Sequence, residues 1–173
     1  KNTYFKISSN DGIREFAFKT EFTPFENTAN TSIVASIVFA GYGITAPEYN
    51  YDDYKDIDVT GKVVLILKHE PGENDPNSTF AGEKSTIYSM QSTKLSNARN
   101  HGAIGVLLVT DPLNHLSLTP QGYPWPGLSK FLPQDNLPFE VCPKDELLPF
   151  VHVGENVIKY LFGSVAYLKN IQK

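Results

Sequence analysis

Two apolar runs dominate the pattern of hydrophobic and polar positions along the chain. They are "VVLIL" at 63–67 and "GVLLV" at 105–109, and neither run alternates with polar residues. Such runs are typical of strands that are buried on both faces of a sheet. Between them, residues 87–100 place apolar side chains near one face of a helix, and "HG" at 101–102 is a C-terminal helix signal. The order predicts a strand, a crossover helix and a parallel strand.

Shorter strands are predicted on the N-terminal side of this unit. "FAFKTEF" at 16–22 alternates well enough for one strand or one arm of a hairpin. Residues 32–44 are rich in β-branched and aromatic side chains, which predicts a strand that bends at Gly41 or Gly43. Residues 45–61 contain many turn-forming residues and predict an irregular connection with at most one helical turn.

The C-terminal side predicts one loop, one strand and two helices. "EPGENDPNSTFAGEKS" at 70–85 is predicted as an exposed loop because its prolines and glycines oppose both helix and strand. "FVHV" at 150–153 predicts a short strand. A helix is expected to open at Gly154 and end at Gly163, with Ser164 as the cap of the next helix.

Composition and charge narrow the class of protein. The chain has 173 residues, of which 40% are apolar and 20% charged, and this is typical of a single globular domain. The net charge of -4 argues against nucleic acid as the main ligand, because phosphate binding requires clustered Lys and Arg. No apolar run approaches the roughly 20 residues of a membrane span, and no signal segment is recognised. The chain starts at Lys1 without Met, and we interpret it as a piece of a longer protein.

The segment "HEPGEND", His69 to Asp75, is the first candidate for chemistry. A zinc peptidase motif of the H-E-x-x-H type needs two imidazoles one helical turn apart. Here Glu73 occupies the position of the second His, and Pro71-Gly72 opposes the helix that would align them. The sequence therefore predicts no metal ligands here, and by themselves His69 and Glu70 indicate a solvated loop.

Other motifs are also better explained by structure than by chemistry. "GYGITA" at 41–46 imitates a dinucleotide-binding turn but lacks the helix that would follow it. The carboxylates of "YDDYKDID" at 51–58 favour turn capping over a cation site. His101 and His115 show no partner at ligand spacing, and His152 is expected to be a core or edge histidine. The sequence supports no catalytic residue, since Ser129 and Cys142 both lack the surroundings of a nucleophile.

Three segments together resemble a known family. "VFAGYGITAPEYNYDDYKDIDVTGKVVLILKHEPG", "KLSNARNHGAIGVLLVTDP" and "LPFVHVGENVIKYLFG" resemble the PA (protease-associated) domain inserted in secreted zinc aminopeptidases related to aminopeptidase Y and glutamate carboxypeptidase. The likeness covers roughly residues 38–173. It implies a mixed α/β, swivelling β/β/α fold with a partly open barrel or sandwich and flanking helices. It divides a single domain into connecting strands at 1–30, a core at 32–163 and a return helix at 164–173.

The resemblance also implies a function. PA domains of this type are non-catalytic and cover the active-site cleft, where they contribute to substrate access, substrate binding or interdomain contacts. The peptidases hold two zinc ions with ligands that include a His-x-Asp and a Glu-Glu pair, and this sequence contains neither motif. The expected partners are therefore the peptidase domain of the parent chain, which carries the zinc, and a peptide substrate. The implied location is outside the cytoplasm, as a secreted, periplasmic or cell-surface protein.

The resemblance places candidate site residues in two segments. The loop after 62–67 is expected to face substrate through His69, Glu70, Glu73 and Asp75, and its acids favour a free amino group. Tyr123 and Trp125 are candidate interface residues. The main chain of Thr119 and Tyr123 resembles part of an interface calcium site. An independent protein-interaction module of PA type remains the alternative function, and a small free-standing hydrolase is a third.

Overall fold

The computed structural model describes residues 3–10, 12–25, 28–80, 82, 84–121 and 147–172. The strands are β1 (Phe5–Ser9), β2 (Gly12–Phe16), β3 (Phe22–Pro24), β4 (Ile37–Phe39), β5 (Thr45–Ala46), β6 (Tyr51–Asp52), β7 (Val63–Leu67), β8 (Gly105–Val109) and β9 (Phe150–Val153). The helices are α1 (Gln91–Asn100), α2 (Glu155–Phe162) and α3 (Val165–Ile171), with 3-10 turns at Pro47–Tyr49 and Ile87–Ser89. Within these ranges, no helix has the length and apolar character that crossing a bilayer requires.

A five-stranded sheet forms the centre of the described part of the chain. Its order is β3-β9-β8-β7-β4, with β3 antiparallel to β9 and the remaining pairs parallel. β7 and β8 pair along their full length, from Val63 opposite Gly105 to Leu67 opposite Val109. Since α1 lies between these two strands in the chain, the predicted strand, helix and parallel strand are confirmed.

The two faces of the sheet are covered by different elements. Val64 and Ile66 of β7 lie in one buried cluster with Ala98 of α1. Leu65 and Leu67, whose side chains alternate with them, lie in a second cluster that contains side chains of the β1-β2 hairpin and the C-terminal helices: Ile7, Phe16, Val157, Ile158 and Leu168. Fully burying each such aliphatic side chain contributes about 1.5–3 kcal/mol. Burial on both faces explains why β7 and β8 are apolar without alternation.

The mixed α/β class is confirmed, and the described strands do not close into a barrel. The predictions for "FVHV", for the helix after Gly154 and for Ser164 are confirmed, since the Ser164 hydroxyl accepts a hydrogen bond from the Tyr167 amide at 3.1 Å. The predicted strand at 32–44 is shorter, because only Ile37–Phe39 pairs with β7.

The strand predicted at 16–22 is wrong. The segment joins the end of β2 to the start of β3 through a turn in which Lys19 has φ +73°. The Glu21 amide donates to the Ala17 carbonyl at 2.9 Å, and the Glu21 carboxylate accepts from the Ala17 amide at 2.7 Å. These local hydrogen bonds stabilise a turn in a sequence whose alternation indicates a strand.

Candidate functional site

The residues of the "HEPGEND" segment lie at the carboxyl edge of the parallel strands. β7 ends at Leu67, and His69 and Glu73 follow in the next loop. β8 ends at Val109, and His115 follows in the loop beside it. Because β7 and β8 are parallel neighbours, the two loops leave the sheet at the same edge, where open α/β sheets commonly bind ligands.

Two imidazoles and one carboxylate meet between these loops. Glu73 Oε2 lies 2.9 Å from His115 Nε2 and 3.3 Å from His69 Nδ1. The two imidazole rings are adjacent, with centroids 4.3 Å apart and planes inclined by 33°. One potential ligand atom from each of the three residues lies within 4.8 Å of the other two. The structure thus corrects the expectation that His115 has no partner at ligand spacing.

His69 is held in an unusual position. Its φ of +66° lies in the left-handed region, which few residues other than glycine adopt. Its Nδ1 is shielded from solvent and makes no hydrogen bond to the described residues, although Glu73 is close. Burial lowers the pKa of His69, as do His115 and Lys68, and the negative charge of Glu73 only partly opposes this. Burial therefore disfavours the charged form of this imidazole.

The loop that carries Glu73 is closed by its own hydrogen bonds. Ser78 Oγ donates to the Pro71 carbonyl at 3.0 Å, and the Asp75 amide donates to the Gly72 carbonyl at 2.9 Å. The Asp75 carboxylate accepts from the Asn77 amide at 2.8 Å and remains exposed. Glu73 is therefore presented by an ordered loop, and Asp75 contributes a negative charge at its surface.

The prediction that Glu70 lies in a solvated loop is wrong, because only 2% of this residue is exposed. Its carboxylate accepts hydrogen bonds from the Thr86 amide, at 2.9 Å, and from the Thr86 hydroxyl. Thr86 Oγ1 in turn accepts from the Tyr88 amide at 3.1 Å, which caps the 3-10 turn before α1. Glu70 therefore fastens the far end of the loop and does not line its surface.

Asp111 is buried beneath the loop of His115. Its carboxylate accepts hydrogen bonds from Asn114 Nδ2 at 2.8 Å, from Gln172 Nε2 at 2.6 Å and from the Tyr42 hydroxyl at 3.3 Å. The His115 amide donates to the Asp111 main-chain oxygen at 3.2 Å. Asp111 therefore anchors the second loop to the C-terminal helix and to the turn after β4.

An open cleft of about 410 Å³ lies next to the imidazole pair. Its lining includes both imidazoles together with Lys68, Thr110 and Gln121. A ligand in this cleft would meet one ammonium group, neutral hydroxyl and amide groups, and the edges of two imidazoles. The cleft is thus mainly polar, and it shares His69 and His115 with the contact to Glu73.

The acidic segment 51–58 caps turns, as predicted. The Asp53 carboxylate accepts hydrogen bonds from the amides of Tyr42 and Ile44, both at 3.0 Å. Gly41 approaches Asp53 so closely that an added Cβ would lie 2.1 Å from Asp53 Oδ1, and its φ is +48°. "GYGITA" ends in β5 and is followed by a 3-10 turn, so no helix follows it, and its first glycine allows the close contact with Asp53.

The remaining histidines have structural surroundings. His152 is fully buried, and its Nδ1 accepts a hydrogen bond from the Gln121 amide at 2.8 Å, which confirms it as a core histidine. Burial lowers the pKa of His152 to about 4. His101 stacks on Tyr54 with ring centroids 4.2 Å apart, and its Nε2 lies 3.2 Å from Thr45 Oγ1.

Several candidates lie outside the described residues. Tyr123, Trp125, Ser129 and Cys142 fall in the segment 122–146. Thr119 is described, and its hydroxyl lies 2.8 Å from the Ser117 hydroxyl. The calcium site and the aromatic interface therefore stay predictions.

Sequence reasoning missed the pairing of His69 with His115, which are 46 positions apart. A spacing rule for one helix cannot find this pair, because its members follow different strands. The available signal was topological. Once two adjacent parallel strands are predicted, polar residues that follow their carboxyl ends are expected to meet.

Comparison with known proteins identifies the kind of domain. The sequence profile of the PA domain matches residues 29–161. Two solved structures of BSAP, a zinc aminopeptidase from Bacillus subtilis, are similar at 19% sequence identity and a TM-score of 0.46. Each similarity covers 91% of this chain and 29% of the BSAP chain, so the present chain corresponds to less than a third of that protein. A search of curated protein sequences finds no match.

Proposed function

This chain belongs to the PA domain family, and from that premise we propose that it is a non-catalytic accessory domain of a zinc-dependent exopeptidase of the aminopeptidase type. In this proposal it covers the active-site cleft of a peptidase domain in the same parent chain. It contributes there to the access and binding of peptide substrates. Such a parent acts outside the cytoplasm.

The observation that carries the proposal is the acidic loop after β7. Glu73 and Asp75 lie at the carboxyl edge of the sheet, on a loop closed by the hydrogen bonds of Ser78 and Gly72. An ordered loop can present charge to a neighbouring domain without losing much conformational entropy on contact. Negative charge at the rim of a cleft attracts the ammonium group of a free peptide N-terminus. This chemistry supports an aminopeptidase as the parent.

The sequence also supports a division of labour within the parent. Neither a His-x-Asp nor a Glu-Glu motif occurs in the chain, so the paired zinc ions implied by the resemblance would be held by the peptidase domain. In this proposal Glu70 has a structural part, and its burial in a contact with Thr86 supports that. The residues proposed to approach substrate are therefore His69, Glu73 and Asp75.

The substitution Asp75→Asn in the full-length parent tests the acidic rim. Asn keeps an oxygen that accepts from the Asn77 amide, so the turn is retained while the charge is lost. We expect kcat/KM for peptides with a free amino terminus to fall about two- to fivefold, since one exposed charge contributes up to about 1 kcal/mol. The loss should shrink as the salt concentration rises.

The matched control is Asp58→Asn, which removes an exposed acid that accepts hydrogen bonds from Thr60 and Lys62. It should leave kcat/KM unchanged. Equal effects of the two substitutions, or no effect of Asp75→Asn on kcat/KM at low salt, would contradict the acidic rim.

Turnover of aminoacyl or peptidyl substrates by the 173-residue chain alone would contradict the accessory role. A parent without peptidase activity would favour an independent interaction module of PA type.

A further inference from the structure

We propose that His69, Glu73 and His115 form a binding site for one divalent transition-metal ion of the zinc class. The site joins the loop after β7 to the loop after β8. It goes beyond the accessory role, because it concerns an ion held by this domain itself.

The distances suit a zinc ion. With metal-ligand bonds of about 2.0–2.2 Å, the ligand atoms of a tetrahedral zinc site lie roughly 3.3–3.6 Å apart. Glu73 Oε2 is 3.3 Å from His69 Nδ1 and 2.9 Å from His115 Nε2. All three potential ligand atoms lie within 4.8 Å of one another. The two distances from Glu73 are thus close to the separations in a tetrahedral zinc site, and the third lies within reach of side-chain rotation.

His69 gives the second, independent observation. Its Nδ1 is excluded from solvent and has no hydrogen-bond partner among the residues that the structure describes. Enclosed polar atoms without a partner are rare in folded proteins and call for an explanation such as an ion. The atom faces Glu73 at 3.3 Å without an acceptable hydrogen-bond geometry. A cation between the two groups would be coordinated by both.

The donor set selects the class of ion. Two imidazoles and one carboxylate suit Zn²⁺ and neighbouring transition metals, whereas Ca²⁺ requires six to eight oxygen ligands. The ligand side chains are 22%, 20% and 35% exposed for His69, Glu73 and His115. Water therefore has access to the remaining coordination position. The set of three protein ligands and an open position is also found in catalytic zinc sites.

The fold supports the ligands from both sides. His69 and His115 each follow a strand of the buried β7-β8 pair, so their separation is fixed by strand pairing. Asp111 holds the second loop through the His115 amide, and Ser78 closes the first loop on Pro71. Ligands fixed in this way lose little conformational freedom when the ion binds.

Zinc titration of the 173-residue chain tests the site. The chain is treated with EDTA, desalted and titrated with Zn²⁺ by calorimetry at pH 7.5, with Ca²⁺ and Mg²⁺ in parallel. We expect one equivalent of Zn²⁺ to bind, with no comparable binding of Ca²⁺ or Mg²⁺. Zinc should also raise the Tm, because the three ligands are close together only in the folded state and zinc therefore binds that state.

The variants are His69→Asn and His115→Asn. Asn tolerates the left-handed backbone at position 69, so the first variant removes the imidazole without introducing backbone strain. Each is expected to weaken Zn²⁺ at least tenfold and to abolish the rise in Tm. The matched control His101→Asn removes an imidazole outside the cluster and should bind zinc as the wild type does.

Three results would overturn the proposal. The first is no zinc binding by the wild-type chain at about a tenfold excess of metal. The second is unchanged affinity in both His69→Asn and His115→Asn, which would identify adventitious surface binding. The third is calcium binding of similar strength. Because the readouts are heat and Tm, these results are independent of any peptidase activity of the parent.

Discussion

At the scale of single residues, Lys94 shows how burial changes the chemistry of a charge. Only 1% of the residue is exposed, and its ammonium group donates to the main-chain oxygen of Tyr42. Burial lowers the pKa of Lys94 to about 7, while the carboxylates of Asp53 and Glu70 partly oppose this. Lys94 thereby connects helix α1 to the turn after β4, but its ammonium group loses the hydration that it would have at the surface.

The depressed pKa predicts that the free energy of unfolding rises between pH 7 and about 9.5. In this window Lys94 is protonated in the unfolded chain, with a pKa of about 10.4, and is losing its proton in the folded chain. The unfolded state then binds more protons than the folded state, so the free energy of unfolding increases with pH, by at most about 1.4 kcal/mol per pH unit. This gain in stability is lost as the pH falls to the folded-state pKa of about 7. Above about pH 10 the trend reverses, because burial raises the pKa of Tyr42, Tyr51 and Tyr54.

Urea denaturation of the wild type and of Lys94→Met at pH 7, 8 and 9 measures this slope. Lys94→Met should be less stable than the wild type, because the Tyr42 carbonyl loses its hydrogen-bond donor. Its free energy of unfolding should also increase less between pH 7 and 9. Lys159→Met, which removes an exposed lysine paired with Glu155, should keep the wild-type slope. Equal slopes in all three proteins would contradict the assignment.

At the scale of elements, the loop between β7 and α1 depends on the contact of Glu70 with Thr86. This contact joins positions 16 apart in sequence and is linked to the cap of the 3-10 turn through the Tyr88 amide. A buried, charge-assisted hydrogen bond contributes about 1.5–3 kcal/mol. The loop is therefore expected to unfold locally when the contact is removed.

A double-mutant cycle with Glu70→Gln and Thr86→Val measures the coupling between the two side chains. We expect a coupling free energy of about 1–2 kcal/mol, because the pair is buried. The exposed pair of Lys62 and Asp58 is the control, and it should give less than about 0.5 kcal/mol. Hydrogen exchange of the main-chain amides at positions 86 and 88 should be faster in Thr86→Val than in the wild type. A coupling near zero would show that Glu70 does not hold the loop.

The elements also show how far sequence reasoning reaches. The β7, α1 and β8 unit was predictable because burial on both faces leaves an uninterrupted apolar run, and the helix is marked by its ending. The turn at 16–22 was not, because hydrogen bonds of Glu21 override the alternation of the aromatic residues. The candidate site was predictable only in part. The sequence draws attention to His69 and Glu73 but predicts no metal ligands there, because the third group, His115, is brought to them only by strand pairing.

At the scale of the whole molecule, the described part of the chain combines a buried sheet with a cluster of polar side chains at the carboxyl edge of that sheet. The sheet is covered on one face by α1 and on the other by the β1-β2 hairpin and the C-terminal helices. The loops that carry His69 and His115 extend from its carboxyl edge. In the proposed accessory role this edge faces the peptidase domain, and the sheet fixes the position of the loops relative to that domain.

The most direct test of this account is a substrate-length profile of the full-length parent. Residues 72–79 are replaced by a Gly-Ser linker of equal length, which keeps the buried Phe80 in place. We predict that the ratio of kcat/KM for long peptides to kcat/KM for dipeptides changes by at least about threefold, because the loop no longer restricts or orients substrate. An unchanged ratio, with both rates as in the wild type, would contradict a role of this domain at the cleft.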